Sequence, residues 1–127
     1  MTAVGTGLIG VGVIGGLGVV FAVRHVRGAS MLPTLREGDV VLMLCMPWSR
    51  ALLREGRVII APRHPGRDWI KRVGRVRRAD GRVLVWLTGD NASVSRDSRH
   101  VGEIALTGRW GIGLAVVSPW NERRWLL

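Results

Sequence analysis

A long uncharged segment at the start of the chain limits the possible folds more than any other feature. From Ala3 to Val23 the chain has 21 residues and no charged side chain. As an α-helix this segment would be about 31 Å long, close to the roughly 30 Å hydrocarbon core of a bilayer. Seven of its residues are glycine, but in lipid an unpaired backbone amide costs more than the lost helix propensity. We therefore predict one N-terminal transmembrane helix and assign residues 1–27 to a membrane anchor with its basic flank.

Two alternatives compete with a membrane span for this segment. A cleavable signal peptide has a basic start, a shorter apolar core and a small-residue exit. This segment instead follows Met1-Thr2 and ends at Arg24. A helix buried in a protein core needs cover on every face, which the remaining ~100 residues hardly allow. The membrane span is the better interpretation.

The chain carries a strong positive charge, with 19 Lys and Arg residues against 9 Asp and Glu. Such an excess is typical of proteins that bind nucleic acid or anionic lipid, and also of solvated surfaces. The basic residues are spread along the chain without a dense run, and six tryptophans accompany them. Because tryptophan favours the membrane interface, we expect membrane lipid as a partner and no nucleic acid.

Cysteine and histidine give no sign of a disulfide or a metal centre. Cys45 is the only cysteine, so the chain has no internal disulfide. The three histidines are isolated and lack the spacing of metal ligands, so we expect no metal site.

Short β-branched and apolar runs alternate with turn signals after residue 27. They predict strands over Asp39–Met46, Arg57–Ala61, Asp68–Val76, Arg82–Leu87 and Ile104–Trp110. Asp80-Gly81 lies between two of these runs and predicts a hairpin turn, and Ser49–Glu55 predicts one short helical turn. We therefore predict a mainly β domain over residues 28–127.

Lys71 is the single lysine in a chain that otherwise uses arginine for positive charge. Arginine cannot act as a base because its guanidinium stays protonated, whereas burial can lower the pKa of a lysine towards neutrality. In a strand, Lys71 shares one face with Trp69 and Val73. A lysine on an apolar face is a candidate general base.

Two polar loops flank the strand of this lysine in the sequence. In the first, Ser30 stands among small residues, and Pro33 limits how the loop can relax. In the second, Gly89–Arg99, polar side chains can hydrogen-bond the backbone, and Asp97 can pair with Arg99. Each loop alone is an ordinary polar connection.

In this order, the three segments resemble the type I signal peptidases, the S26 family of serine proteases. Ser30–Thr34 is similar to the nucleophile box of the family, and Glu37–Val41 to the strand after it. Ile70–Gly74 is similar to the lysine box, and Gly89–Arg99 to the final box. The resemblance runs from about Gly28 to Arg109 and includes the order of all four motifs.

The resemblance implies a small signal-peptidase-like β domain with a catalytic Ser–Lys dyad, in which Ser30 is the nucleophile and Lys71 the general base. Ser95 matches a serine that hydrogen-bonds the lysine amine and orients it. The remaining assignments are supporting roles for Asp90, Asp97 and Arg99, and substrate binding for Met31, Leu32 and Pro33. Family members need no cofactor and cleave after small residues at the −1 and −3 positions of an extended segment. The implied partner is a preprotein or pro-segment.

The chain departs from some family members in two places. Some family members have a serine two residues before the nucleophile, and this serine donates to the oxyanion. This chain has Gly28 at that position. The oxyanion hole is then expected to use the Ser30 backbone N–H, and losing one donor costs roughly 3 kcal/mol in other proteases. Gly89 follows Lys71 by only 18 positions, so a large β insertion is absent and the chain resembles the compact mitochondrial inner-membrane peptidases.

The favoured function is a membrane-anchored endopeptidase that removes signal peptides or pro-segments. Ser30 follows Val23 by seven positions, which keeps it within ~24 Å of the predicted membrane boundary. One alternative is a maturation protease of the same family with a single client, such as the pro-segment of nickel superoxide dismutase. A LexA-like self-cleaving regulator fits less well, because no helix-turn-helix segment is evident. A non-enzyme alternative is a basic membrane-tethered binding module.

The side of the membrane is predicted differently by two signals. Arg24 and Arg27 follow the apolar segment, which by the positive-inside rule favours a cytoplasmic catalytic domain. The family resemblance favours the extracytoplasmic side, and we follow the family for a single-pass protein. The sequence does not set the oligomeric state.

Overall fold

The computed structural model describes residues 5–14, 17–45, 47–64 and 67–127. The strands are β1 (Gly5–Ile14), β2 (Leu17–His25), β3 (Val40–Cys45), β4 (Val58–His64), β5 (Arg67–Ala79), β6 (Arg82–Thr88), β7 (Ile104–Ala105), β8 (Gly111–Ser118) and β9 (Arg124–Trp125). Two short helices, α1 (Ser49–Leu52) and α2 (Ser98–Val101), and a 3-10 turn (Trp120–Glu122) lie between them. The prediction of a mainly β protein is confirmed.

Across these residues the nine strands form one antiparallel sheet in the order β1-β2-β3-β8-β4-β5-β6-β7, and β9 also pairs with β8. β8 is the central strand because it pairs with three others. Its partners include Val41 of β3, Ile59 of β4 and Arg124 of β9. Through β9, the C-terminal residues lie beside the middle of the sheet.

The N-terminal segment differs from its prediction. β1 and β2 pair antiparallel from Gly5↔His25 to Ile14↔Leu17, so the transmembrane helix predicted over Ala3–Val23 is wrong for the residues that the structure describes. Ala3, Val4, Gly15 and Gly16 lie outside those residues. Glycine alternates with Val, Leu or Ile over much of the segment. This composition explains the strands, because each glycine disfavours a helix by about 1 kcal/mol and β-branched residues favour strands. No helix in the described ranges is long and apolar enough to cross a membrane.

β2 also pairs with β3, across the boundary predicted after residue 27. The register runs from Phe21↔Leu44 to His25↔Val40, and Ala22 and Val26 are buried. The division of the chain into an anchor and a catalytic domain stays a prediction.

The sheet buries side chains on both of its faces. Along β4, Val58 and Ile60 belong to one hydrophobic cluster, and Ile59 and Ala61 belong to another. This alternation follows from the pleat, which sends successive side chains to opposite faces. The first cluster includes Met31 and the second lies on the face of Lys71, because Ile59 pairs with Lys71 in the ladder. The two clusters therefore pack against opposite faces of β4 and β5.

The hairpin and the short helical turn are confirmed, whereas one central strand was missed. β5 and β6 are joined by Asp80 and Gly81, both at positive φ, as a two-residue turn requires. α1 lies inside the predicted turn at Ser49–Glu55. The run Ile104–Trp110 forms only the two-residue β7, and β8 begins at Gly111. A Cβ at Gly111 would lie 2.7 Å from the Leu44 carbonyl oxygen, so close packing against β3 explains a glycine that weakens the strand signal.

Candidate functional site

Three segments that are far apart in the sequence meet at one place. They are the loop of residues 28–39, called here the Ser30 loop, strand β5, and the loop of residues 89–97, called the Asp97 loop. The Asn91 backbone N–H donates to the Ser30 carbonyl oxygen at 2.9 Å, and Asn91 Nδ2 donates to the Ala29 carbonyl oxygen at 3.1 Å. These bonds fix the backbone at Ser30 against the Asp97 loop.

Lys71 projects from β5 into the second hydrophobic cluster, as its strand pattern predicts. Its side chain is 1% exposed, and the centroid of the Trp69 ring lies 5.3 Å from Lys71 Nζ. Burial lowers the pKa of Lys71 from 10.5 to about 8; the nearby Asp97 charge opposes this shift and Arg99 adds to it. A lysine in this setting is a usable base under mildly alkaline conditions, because half of it is then neutral.

The Lys71 amine begins a buried hydrogen-bond chain with a defined direction. Lys71 Nζ donates to Ser95 Oγ at 3.0 Å, and Ser95 Oγ donates to Asp97 Oδ2 at 2.6 Å. A hydroxyl has a single proton, so Ser95 gives it to the carboxylate and can only accept from the amine. The lone pair of a neutral Lys71 is therefore left available for another donor.

Asp97 is fully buried, and its carboxylate accepts five hydrogen bonds. Ser95 Oγ, the Gly89 N–H, the Arg99 N–H, and Arg99 Nε and Nη2 all donate to its carboxylate. Burial alone would raise the pKa of Asp97, but the bonds from Arg99, Ser95 and the two backbone N–H groups hold that pKa well below its usual range. Asp97 also caps α2. Its negative charge is thus permanent at working pH, and the predicted pairing with Arg99 is present.

Ser30 is 2% exposed, and no hydrogen bond to its Oγ occurs within the described part of the chain. Gly89 separates Ser30 from Ser95. A Cβ at Gly89 would lie 2.2 Å from Ser95 Oγ and 2.6 Å from the Ser30 carbonyl oxygen, which is too close for any side chain. The absence of a side chain at Gly89 lets Ser30 and the Lys71–Ser95 pair lie against the same backbone.

Asp90 lies next to Gly89 and joins the same three segments from the other face of β5. Arg72 Nε and Nη2 donate to its two carboxylate oxygens at 2.8 and 2.7 Å, and Thr34 Oγ1 donates at 2.5 Å. Burial would raise the pKa of Asp90, but the bonds from Arg72 and Thr34 keep it below its ordinary value. Arg72 and Thr34 were missed as site residues. Arg72 directly follows Lys71 and Thr34 lies four positions after Ser30, and this closeness in sequence was the only signal. Their shared partner Asp90 lies on another loop, which the sequence alone does not bring to them.

Arg124 of β9 is a third residue that sequence reasoning missed. Its Nη2 donates to the Thr34 carbonyl oxygen and, at 3.1 Å, to Asp39 Oδ2. Asp39 is buried and also accepts from the Arg36 backbone N–H at 3.0 Å. The C-terminal strand therefore holds the Ser30 loop in place, and no local pattern indicates a contact over such a separation.

The residues predicted to bind substrate have different environments. Met31 is buried in the first cluster, and its Sδ lies 3.5 Å from the Asp90 N–H. Leu32 is half-buried and Pro33 is exposed. Their role in binding stays a prediction. Among the described side chains, no group of three His, Cys, Asp or Glu residues is placed to hold a metal ion.

Comparison with curated proteins gives one relative with extensive similarity. The chain is 34% identical to the mitochondrial ATP-independent inner membrane protease subunit 1a of Arabidopsis thaliana over 121 aligned positions, and the match covers 79% of this chain and 72% of that protein. No protein-family model and no solved structure matches the chain.

Proposed function

Because this chain belongs to the type I signal peptidase family, we propose that it is a serine endopeptidase with Ser30 as the nucleophile and Lys71 as the general base. The relative is named as a protease, which supports peptidase activity at the family level. The Ser–Lys assignment rests on the site geometry together with the family resemblance.

The observation that carries the proposal is the direction of the buried hydrogen-bond chain. Ser95 accepts from Lys71 because Asp97 takes the Ser95 proton. If the chain ran in the opposite direction, Ser95 would occupy the lone pair of the amine and Lys71 could not accept a proton. In this arrangement a neutral Lys71 keeps its lone pair for the Ser30 hydroxyl, whose oxygen has no hydrogen-bond partner among the described residues.

In the acylation step, Lys71 takes the proton of Ser30 Oγ while this oxygen attacks the scissile carbonyl carbon. The π electrons of the carbonyl move to its oxygen, and a tetrahedral intermediate forms. When that intermediate collapses, the C–N bond breaks, and the Lys71 ammonium returns the proton to the leaving amine. The product is an acyl-enzyme ester on Ser30 and a new N-terminus.

In the deacylation step, water replaces Ser30 as the nucleophile. Lys71 is neutral again and takes a proton from the water, which attacks the ester carbon. Ser30 Oγ then leaves and regains its proton from Lys71. The Ser95–Asp97 pair keeps the amine oriented throughout, since a positioned base loses less entropy in each proton transfer.

The oxyanion of both intermediates requires donors that are already in place. We expect the Ser30 backbone N–H to supply one. Gly28 has no side chain to add a hydroxyl donor, and it adopts a positive φ of 79° that suits glycine. An enzyme with one donor fewer is expected to be slower, by roughly 3 kcal/mol of barrier if nothing replaces it.

We propose a membrane-associated setting and a protein substrate for this protease. The relative is named as an inner membrane protease, and the family cleaves preproteins or pro-segments after small residues at −1 and −3. The extracytoplasmic side remains the proposal for the catalytic domain, because the family places it there.

The direct test is to incubate the purified protein with a preprotein that has small residues at −1 and −3. Ser30→Ala and Lys71→Arg should each abolish cleavage, the latter because arginine keeps the charge and cannot release its proton. Arg78→Lys is the matched control: it makes the reverse exchange at an exposed position of β5 and should retain cleavage. Substantial cleavage by either dyad variant would refute the assignment.

A further inference from the structure

An open cavity of about 370 Å³ lies beside the Ser30 loop, where the C-terminal segment packs against it. Pro33 and Arg36 line it from the loop, and Glu122, Arg123 and Arg124 line it from the other side. Three guanidinium groups therefore surround the space, against one carboxylate. The lining attracts anions.

Two of the three arginines are neutralised by carboxylates. Arg124 pairs with Asp39 at 3.1 Å, and Arg36 Nη1 lies 3.7 Å from Glu122 Oε1. Arg123 has no carboxylate within ion-pair distance among the described residues. The positive charge of the cavity that is not compensated is therefore concentrated at Arg123.

Arg123 is instead held by Trp120. Its Nε donates to the Trp120 carbonyl oxygen at 3.0 Å, and its guanidinium carbon lies 3.1 Å from the centroid of the Trp120 ring. The Trp120 side chain is 71% exposed. A large aromatic ring is thus kept in contact with solvent beside a cation that no carboxylate neutralises. Tryptophan is favoured at the headgroup level of a bilayer, and an arginine there is attracted to anionic lipid.

We propose that the cavity and the Trp120–Arg123 pair dock the protein on an anionic phospholipid bilayer. A headgroup phosphate would enter the cavity and accept hydrogen bonds from Arg123 and Arg36, and the Trp120 ring would lie at the headgroup level, where tryptophan is favoured. The consequence for catalysis rests on the proposed function: Pro33 lines the cavity three positions after Ser30, so docking brings the Ser30 loop to the bilayer surface.

Binding is measured in a Ser30→Ala background, so that a failure to bind and a failure to cleave are separate results. The probe is vesicles of phosphatidylcholine with or without phosphatidylglycerol, assayed by co-sedimentation. Arg123→Gln should weaken partition into the anionic vesicles about fivefold. Arg78→Gln removes the same charge from an exposed site on β5 and should weaken it less than about twofold. Equal losses would overturn the proposal, because the net positive charge alone would then account for binding.

A second measurement uses quenching of tryptophan fluorescence by brominated lipid. Trp125 is 79% exposed, but it follows Arg124 in β9 and so points to the opposite face. Trp120→Ser should remove most of the quenching and Trp125→Ser little of it, while both variants keep the thermal unfolding midpoint. Equal effects would refute a directed surface. If inorganic phosphate without vesicles binds as tightly as the lipid phosphate does, the site serves a free anion and the proposal also fails.

Discussion

The burial of Lys71 leads to a quantitative prediction about the free energy of unfolding. Its pKa is lowered from 10.5 to about 8 in the folded protein by burial. Each pKa unit corresponds to about 1.4 kcal/mol, so keeping the ammonium in this site costs about 3 kcal/mol at neutral pH. Lys71→Met keeps an unbranched apolar side chain and removes the charge. We expect the variant to be free of this penalty and to be inactive as a protease.

The sign of the effect fixes the pH range in which it appears. Between pH 8 and pH 10.5 the unfolded chain keeps the Lys71 proton that the folded chain has lost. The free energy of unfolding of the parent protein should therefore rise with pH across this range, and the full penalty should be present below it. The advantage of Lys71→Met over the parent protein should accordingly shrink by about 3 kcal/mol between neutral pH and pH 10.5.

Urea unfolding of both proteins across this range measures the difference. The chain suits the test because it has one lysine, one cysteine and no tyrosine, so few other groups titrate there, and subtraction removes them. In parallel, kcat/KM of the parent protein should fall tenfold per pH unit below about pH 8. A stability difference that stays constant with pH would refute the lowered pKa and, with it, the case for Lys71 as a base.

Three further changes test the packing at Gly89, the charge of Arg99 and the N-terminal strands. Gly89→Ala should lower activity and destabilise the fold by about 1–3 kcal/mol, because its Cβ would overlap Ser95 and Ser30. In the control Gly74→Ala the new Cβ meets only ordinary contacts, so chemical denaturation should show a loss of less than about 1 kcal/mol. Arg99→Gln removes a charge that lowers the pKa of Lys71, so the activity profile should move to higher pH; an unmoved profile would contradict this. Deletion of residues 1–23 should lower the thermal midpoint, because β2 is lost beside β3, and an unchanged midpoint would instead support a separable anchor.

Local chemistry was readable from the sequence where a residue's role depends on its immediate neighbours. The burial of Lys71 follows from alternation along one strand, and the β5–β6 hairpin follows from Asp80-Gly81. The N-terminal segment was misread because glycine and β-branched residues without charge are compatible with a helix in lipid as well as with a strand pair. Composition cannot decide between them, because the choice depends on whether β3 is available as a partner.

Contacts between distant segments were not readable in this way. By the alternation of a strand Arg72 points away from Lys71, and it binds Asp90 and so joins β5 to the Asp97 loop. Arg124 gave no signal at all, since its partners Thr34 and Asp39 lie 90 and 85 positions earlier. The local sequence around a surface arginine is the same whether or not a carboxylate faces that arginine in the fold. Only the folded sheet therefore reveals which arginines hold the Ser30 loop.

The pair of Asp97 and Arg99 resolves a conflict within the proposed mechanism. A carboxylate is needed to take the Ser95 proton and so set the direction of the hydrogen-bond chain. The same charge raises the pKa of Lys71, which works against a neutral base. Arg99 donates to Asp97 through Nε and Nη2 and itself lowers the pKa of Lys71. Part of the effect of the Asp97 charge on Lys71 is therefore offset, while the hydrogen bond from Ser95 remains. Burial then decides the direction of the pKa shift, and in the proposed mechanism Lys71 is an oriented amine whose lone pair is available to Ser30.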